Sequence, residues 1–212
     1  MRGGRHVVLF AKAPRRGAVK RRLAAGVGDA AALGFYRATL AAAARRLGAD
    51  PRWTLWLAVT PDRAARNLRV WRFGLRRRTR LHAQGAGDLG RRMAHMFASL
   101  PPGPVVIVGG DIPDLDRSHV AAAFAALGRA DLVFGPAADG GYWLVGARGT
   151  LRRAALFRGV RWSTEHALAD TRANVPRGRR VAILPELADV DDAAAWARWR
   201  ALMHRRRESG RK

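Results

Sequence analysis

Two kinds of apolar pattern alternate along the chain. Short apolar runs predict strands, because they are shorter than a typical helix; they cover residues 6–11, 53–59 and 181–184. Apolar residues at helical spacing predict helices, over residues 29–47, 89–100, 118–127 and 193–203, and a further helix is predicted to begin within residues 160–166. Alternating strands and helices favour an α/β fold, here a three-layer α/β/α sandwich with a mainly parallel sheet.

Two further strand-like runs near the middle of the chain each lead to an aspartate. Residues 105–108 are followed by two glycines and Asp111, and residues 131–134 by a loop that contains Asp139. The ends of adjacent buried strands meet at one edge of a sheet, and the glycines leave room for a phosphate. Carboxylate oxygens are the ligands that Mg²⁺ and Mn²⁺ prefer. Either aspartate alone is typical of a cap or turn, so the metal-site hypothesis rests on the pair.

The chain carries a large positive charge that predicts affinity for anions. It has 40 Lys and Arg against 16 Asp and Glu, a formal net charge of +24, which attracts any polyanion. The arginines are spread over most predicted helices, so we favour compositional bias over a dedicated binding stripe. The best nucleic-acid feature is residues 69–80, where arginines alternate with Val70, Trp71, Phe73 and Leu75. A basic nucleic-acid-binding module is therefore the alternative to an enzyme.

Composition also narrows the kinds of site and location that are possible. The chain has no cysteine, which excludes disulfides, thiolate nucleophiles and cysteine-based zinc sites. No apolar stretch approaches membrane-spanning length, and the first apolar run is too short for a signal peptide. We therefore expect a cytoplasmic protein. Its length of 212 residues fits a single domain, predicted over residues 1–204 and followed by a basic, disordered tail over residues 205–212.

Five motifs in a fixed order carry a family resemblance. They are residues 10–23 (FAKAPRRGAVKRRL), 87–93 (GDLGRRM), 109–113 (GGDIP), 135–142 (GPAADGGY) and 162–164 (WST). With them, roughly residues 6–192 of the chain resemble the bacterial DUF2064 family. Members of that family resemble GT-A-fold glycosyltransferases and are similar to the molybdenum-cofactor and phospholactate nucleotidyltransferases. The resemblance implies a fold like that of the nucleotide-diphospho-sugar transferases.

The resemblance also implies roles for further residues. The basic loop after the first strand and the glycine loop before residue 89 are expected to bind the nucleotide. The predicted nucleotide- and phosphate-binding residues are Lys12, Arg16, Gly17, Lys20, Gln84, Gly87 and Gly110. The predicted acceptor-binding residues are Gly140, Gly141, Tyr142, Trp162 and Thr164. Arg21 departs from the family, which usually has a small hydroxyl residue at that position.

An acidic segment late in the chain is the source of a further predicted metal ligand. It contains Asp189, Asp191 and Asp192, and related nucleotidyltransferases supply a ligand from such a loop. Asp189 is the preferred candidate and Asp191 the other; alternatively, Asp191 and Asp192 cap the following helix. The predicted metal ligands are thus Asp111, Asp139 and Asp189, with Asp139 equally suited to act as a general base.

These expectations combine into a metal-dependent transferase. The preferred activity is glycosyl transfer from a nucleotide-sugar donor to a small-molecule acceptor, with Mg²⁺ or Mn²⁺ as cofactor. Asp111 and Asp139 are the predicted catalytic residues. The second activity is nucleotidyl transfer, in which a nucleoside monophosphate is moved from a nucleoside triphosphate in the manner of a guanylyltransferase.

Overall fold

The computed structural model describes residues 4–71, 79–149 and 155–209, with side chains as far as residue 205. Its strands are β1 (His6–Lys12), β2 (Thr54–Thr60), β3 (Arg80–Ala83), β4 (Val105–Gly109), β5 (Leu132–Pro136), β6 (Tyr142–Ala147) and β7 (Val181–Ile183). Its helices are α1 (Arg21–Val27), α2 (Asp29–Gly48), α3 (Leu89–Ser99), α4 (Arg117–Ala126), α5 (Ala167–Ala173) and α6 (Ala193–Ser209). Two 3₁₀ turns, Asp62–Arg66 and Leu68–Trp71, follow β2.

The seven strands of the described ranges form one sheet in the order β3-β2-β1-β4-β6-β5-β7. Every neighbouring pair is parallel except those of β6, which runs antiparallel to both β4 and β5. Successive residues of β1 bury opposite faces of this sheet: Leu9 packs with the cluster that includes Leu40 of α2 and Phe124 of α4, and Val8 packs with the cluster that includes Phe97 of α3. The predicted α/β/α sandwich with a mainly parallel sheet is confirmed.

The position of β6 contradicts the expectation that Asp111 and Asp139 follow adjacent strands. Asp111 follows β4 and Asp139 follows β5, but these two strands are separated by β6. The aspartates therefore do not come from adjacent strand ends. A short loop after β5 permits an antiparallel return, and the returning strand inserts between its two predecessors.

The helix boundaries differ from the prediction in three places. Helix α1 was not predicted. Helix α5 begins at Ala167 and not near Trp162, because Ser163 has a left-handed backbone (φ 61°) that interrupts a helix. Helix α6 continues to Ser209, so helical structure extends into the segment for which a disordered tail is expected. Within the described residues, no helix has the length and apolar character needed to span a membrane.

Part of the basic segment from Arg69 to Arg80 lies outside the described residues, namely residues 72–78 with Phe73 and Leu75. Trp71, at its start, is 1% exposed and donates a hydrogen bond from Nε1 to the carbonyl oxygen of Ala64 (2.8 Å). A buried indole cannot stack on a base. This observation argues against the nucleic-acid-binding alternative.

Close packing of α1 against α6 positions the residues that precede both helices. A Cβ placed on Gly26 would lie 2.5 Å from the Cβ of Ala193, the first residue of α6. Nearby, Leu23, Phe35 and Val190 form a small cluster against Trp199 of α6, whose ring meets that of Phe35 edge to face at 5.2 Å. The end of α1 is thereby held against the start of α6.

A pair of glycine substitutions tests this contact. Gly26→Ala places a methyl group against Ala193 and is expected to destabilise the protein by about 1–3 kcal/mol through overpacking. Gly34→Ala, in α2 where nothing lies within 4 Å of the added methyl, is expected to stabilise it by about 0.5–1 kcal/mol, because alanine favours a helix over glycine. Urea unfolding gives the change in the free energy of unfolding for each variant.

The double variant G26A/A193G serves as the control, because it exchanges the methyl group across the same contact. We expect it to recover most of the stability that G26A loses. Equal stabilisation by G26A and G34A would show that α1 and α6 do not pack in this way.

Candidate functional site

A cleft of about 680 Å³ opens at the carboxyl ends of β1, β2, β4 and β5. It is lined by predicted site residues from all parts of the chain: Lys12, Lys20, Gln84, Gly110, Asp111, Asp139, Gly141, Tyr142, Trp162, Thr164 and Asp189. Four predicted residues are absent from its walls: Arg16, Gly17, Gly87 and Gly140. The structure thus gathers into one cleft most of the residues that the motifs indicated.

Three carboxylates converge at the edge of this cleft. Asp111 follows β4, and Asp189 and Asp191 lie on the segment that leads into α6. One oxygen from each lies within 4.8 Å of the others, and all three residues are half-buried. Three hard oxygen donors at this spacing, open to a cleft, fit the coordination preferences of Mg²⁺ or Mn²⁺.

Asp139 lies in the same cleft but outside this group of three carboxylates. Its Oδ1 accepts a hydrogen bond from the backbone N–H of Gly141 (2.9 Å), which closes a tight turn after β5. Two of the three predicted ligands, Asp111 and Asp189, thus lie together with Asp191, the less favoured candidate, while Asp139 lies outside the group. Asp192 caps α6 by accepting from the N–H of Ala195, so the two neighbouring aspartates have different tasks.

The Lys20 ammonium lies against the three carboxylates and holds two of them. Nζ donates to Asp111 Oδ2 (2.9 Å) and to Asp191 Oδ1, and the lysine side chain is only 5% exposed. Burial lowers the pKa of Lys20, but the charges of Asp111 and Asp191 outweigh it, so that the pKa lies above its ordinary value. The lysine thus stays protonated and offsets the carboxylates' mutual repulsion.

Asp189 accepts no hydrogen bond from Lys20 within the part of the chain that the structure describes, and its pKa lies above the ordinary value. Burial raises the pKa of Asp189 to about 6, and repulsion from Asp191 and Asp111 adds to the shift, while Lys20 opposes it. The environment thus disfavours a third negative charge next to the other two. A divalent cation would remove that penalty.

The basic loop after β1 divides into two parts. Arg16 and Gly17 lie away from the cleft, where Arg16 is exposed and approaches Asp29 (4.0 Å). Arg21 and Arg22, at the start of α1, line the cleft instead. The departure at position 21 from the family pattern therefore adds a cation to the cleft wall.

Tyr36 of α2 also lines the cleft, although it was not among the predicted site residues. Its hydroxyl accepts from the N–H of Lys12 (2.8 Å) and donates to the carbonyl oxygen of Lys12 (2.9 Å). Burial raises the pKa of this hydroxyl, so it remains a neutral donor and acceptor. Tyr36 thereby fixes the backbone where β1 enters the cleft.

Gly110 and Gln84 have structural reasons for their identity. A Cβ on Gly110 would lie 2.6 Å from the carbonyl oxygen of Phe10, so this glycine permits close packing of β4 on β1. The Gln84 side chain is buried, and its amide donates to the carbonyl oxygens of Ala11 (3.2 Å) and Ala58 (2.8 Å). Gln84 thus ties the ends of β1 and β2 together beneath the cleft.

The opposite wall of the cleft is aromatic. Tyr142 and Trp162 meet edge to face with ring centroids 6.4 Å apart, and Trp162 also packs against Phe157. Thr164 donates to the carbonyl oxygen of Arg161 (2.8 Å). Gly140 lies directly on the backbone of Glu165, where no Cβ fits, and so supports this wall from behind.

Asp170 of α5 anchors the segment that carries Trp162. It accepts hydrogen bonds from the backbone N–H (3.0 Å), Nε (2.9 Å) and Nη2 (2.8 Å) of Arg161. The Arg161 guanidinium, followed by its N–H, holds the pKa of Asp170 far below the usual range. A carboxyl whose pKa is lower in the folded than in the unfolded protein stabilises the fold at pH values above its unfolded-state pKa. That contribution is lost as the pH falls towards the folded-state pKa.

Asp170→Asn is therefore expected to destabilise the protein at pH 7. Because the stabilisation depends on the ionised carboxylate, the difference from the wild type should narrow as the pH falls below about 4, the ordinary aspartate pKa. Urea unfolding at a series of pH values gives the free energy of unfolding of both proteins at each pH at which they are folded. A difference that stays constant across this range would show that the charge of Asp170 is not responsible.

Several solved structures are similar in fold to this chain. A protein of Desulfovibrio desulfuricans G20, provisionally assigned as a nucleotide-diphospho-sugar transferase, is 30% identical over 89% of this chain and 82% of its own, with a TM-score of 0.75. The 4-diphosphocytidyl-2C-methyl-D-erythritol synthase of Anaerococcus prevotii DSM 20548 is 10% identical over 95% of this chain and 98% of its own (TM-score 0.61). Glucosyl-3-phosphoglycerate synthase of Mycobacterium tuberculosis, in complex with Mn²⁺, UDP and glucosyl-3-phosphoglycerate, is 13% identical over 88% of this chain and 71% of its own (TM-score 0.52).

These neighbours agree with the expectation of an enzyme of the transferase class and with the predicted fold. No curated protein sequence matches the chain. The model of the family described as "uncharacterized protein conserved in bacteria (DUF2064)" matches residues 39–164, which is more than half of the chain and includes four of the five motifs. The chain therefore belongs to the DUF2064 family.

Proposed function

We propose that this protein is a metal-dependent glycosyltransferase that uses a nucleotide-sugar donor and a small-molecule acceptor. The observation that carries the proposal is the group formed by Asp111, Asp189 and Asp191 at the edge of a cleft with a basic side and an aromatic side. The Desulfovibrio relative, provisionally assigned to nucleotide-diphospho-sugar transfer, supports this activity. The mycobacterial synthase with the same fold, in complex with Mn²⁺ and UDP, supports the choice of cofactor and donor.

Asp111, Asp189 and Asp191 would hold the Mg²⁺ or Mn²⁺ ion, because their oxygens form a compact set of hard donors. When bound, a divalent ion offsets the negative charge of a departing diphosphate. Lys12, Arg21 and Arg22 line the same cleft and would bind the donor phosphates from the side of β1 and α1. Fixed positive charges there favour the leaving group as its charge grows.

Asp139 is suited to accept the proton of the acceptor hydroxyl. It lies in the cleft but outside the group of three carboxylates, so it can serve as a base without competing for the cation. Tyr142 and Trp162 would hold the acceptor next to it, since aromatic faces pack well against sugar rings and other apolar surfaces. The acceptor oxygen then forms a bond to the sugar carbon while the bond from that carbon to the donor phosphate breaks.

Nucleotidyl transfer is the second candidate, favoured by the similarity in fold to the 4-diphosphocytidyl-2C-methyl-D-erythritol synthase over nearly the whole of both chains. In that reaction an α-phosphorus is attacked and pyrophosphate leaves. The same carboxylates and basic side chains would serve a triphosphate equally well.

Ligand binding and product analysis test these activities. Thermal-shift measurements with a panel of nucleoside diphosphates, triphosphates and nucleotide-sugars plus Mn²⁺ should identify a ligand that raises the melting temperature. Incubating the protein with that donor and candidate acceptors should then release a nucleoside diphosphate for glycosyl transfer, or pyrophosphate for nucleotidyl transfer. If no nucleotide raises the melting temperature with or without Mn²⁺, both activities are excluded.

Two substitutions that each remove one negative charge from the cleft separate the roles of its aspartates. Asp191→Asn is expected to weaken Mn²⁺ binding at least about tenfold, because it removes a ligand oxygen. Asp139→Asn should leave Mn²⁺ affinity within about twofold of the wild type and lower turnover by about a hundredfold or more, as loss of a general base does. Electron paramagnetic resonance of free Mn²⁺ gives the affinities. The opposite ranking of the two affinities would assign Asp139 to the metal.

A further inference from the structure

We propose that Lys20 and the divalent ion compete for the same carboxylate oxygens, so that binding of the ion displaces the Lys20 ammonium towards the donor phosphates. The inference rests on the proposed function, because it concerns the same cation site. It adds a residue that sets the affinity of that site and links cation binding to phosphate binding.

The competition follows from which atoms Lys20 occupies. Nζ bonds Asp111 Oδ2 (2.9 Å) and Asp191 Oδ1, and both residues belong to the group that could hold a metal ion. The lysine side chain is 5% exposed, whereas those of Asp111 and Asp191 are 38% and 40% exposed. The ammonium is therefore enclosed by its contacts, while the carboxylates it holds are open to the cleft.

A lysine and a divalent ion cannot share these oxygens in the present arrangement. Mg²⁺ lies about 2.0–2.1 Å from its ligand oxygens, so an ion bound to Asp111 and Asp191 would lie within about 5 Å of Nζ. Repulsion between a divalent ion and an ammonium at that distance is strong in a partly buried site. The ammonium must then leave at least one of the two carboxylates.

The cleft offers the displaced ammonium a destination. Lys20 itself lines the cleft, and so do Lys12, Arg21 and Arg22, the proposed phosphate-binding residues. Its flexible four-carbon stem allows the charge to move while the backbone stays in place at the start of α1. A phosphate that receives the ammonium would favour the ion-bound arrangement, and by reciprocity the ion would favour phosphate binding.

Amine labelling of the wild-type protein tests the displacement directly. The chain has only three lysines, Lys12, Lys20 and Lys212, so acetic anhydride labelling read by mass spectrometry resolves each one. Without added cation, Lys20 should be labelled slowly, because its side chain is enclosed and bonded to two carboxylates. Saturating Mg²⁺ should raise its labelling rate at least about fivefold, while Lys12, which is exposed in the same cleft, serves as the internal control.

Mn²⁺ affinity of a matched pair of variants tests the competition independently. Lys20→Met removes the competing charge and should tighten Mn²⁺ binding by on the order of tenfold. Lys12→Met changes the charge of the cleft equally but removes none of the described contacts to the carboxylates, so it should alter the affinity by less than about threefold. Should K20M fail to fold, the labelling of the wild type still decides the matter.

Two outcomes would overturn the inference, and they bear differently on the proposed function. If the wild type binds Mn²⁺ but Lys20 stays unreactive and K20M binds no more tightly, Lys20 does not compete, and the metal-dependent activity still stands. If neither the wild type nor K20M binds Mn²⁺, the cation site itself is excluded and both proposals fall.

Discussion

The ion pairs of Lys20 with Asp111 and Asp191 are the interaction on which the rest of the cleft depends. They join three segments that are distant in sequence: the loop before α1, the end of β4 and the segment before α6. Enclosing one ammonium costs desolvation energy that only well-placed partners can offset. The carboxylates of Asp111 and Asp191 offset this cost, and the charge of Lys20 in turn permits three acidic groups to lie together. Packing of α1 on α6, through Gly26 and Ala193, joins the helix that follows Lys20 to the helix that follows Asp191.

The location of the cleft follows from the strand order. From β1 the chain passes to β2 and then β3 on one side of the sheet, and it returns to β4 on the other side of β1. Loops diverge at such a switch point, and α/β folds bind ligands in the crevice that results. Lys12 ends β1 and Asp111 follows β4 at this crevice. Insertion of β6 between β4 and β5 separates the three carboxylates from the turn that contains Asp139. The cleft thus has a basic side, lined by residues of β1 and α1, and an aromatic side, lined by Tyr142 and Trp162.

Much of this arrangement could be predicted from the sequence, because its signals are local. Asp111 and Asp139 follow apolar runs, the motifs indicated Lys20 and Trp162, and the late acidic segment indicated Asp189. Whether Asp139 or Asp191 completes the group of carboxylates depends on β6 lying between β4 and β5 and on α6 packing against α1, and neither is encoded near these residues. The contacts of Tyr36 with Lys12 and of Gly110 with Phe10 are tertiary in the same way. From the sequence alone, Tyr36 resembles a core residue of a helix, and Gly110 resembles part of a phosphate-binding loop.

Anomalous diffraction at the manganese edge, from crystals grown with Mn²⁺ and a nucleoside diphosphate, tests the central claim most directly. We expect a single strong peak between the carboxylates of Asp111, Asp189 and Asp191, next to the diphosphate. A peak at the Asp139 turn, or no peak in the cleft while the nucleotide is bound there, would contradict the assignment of these three residues as the cation site.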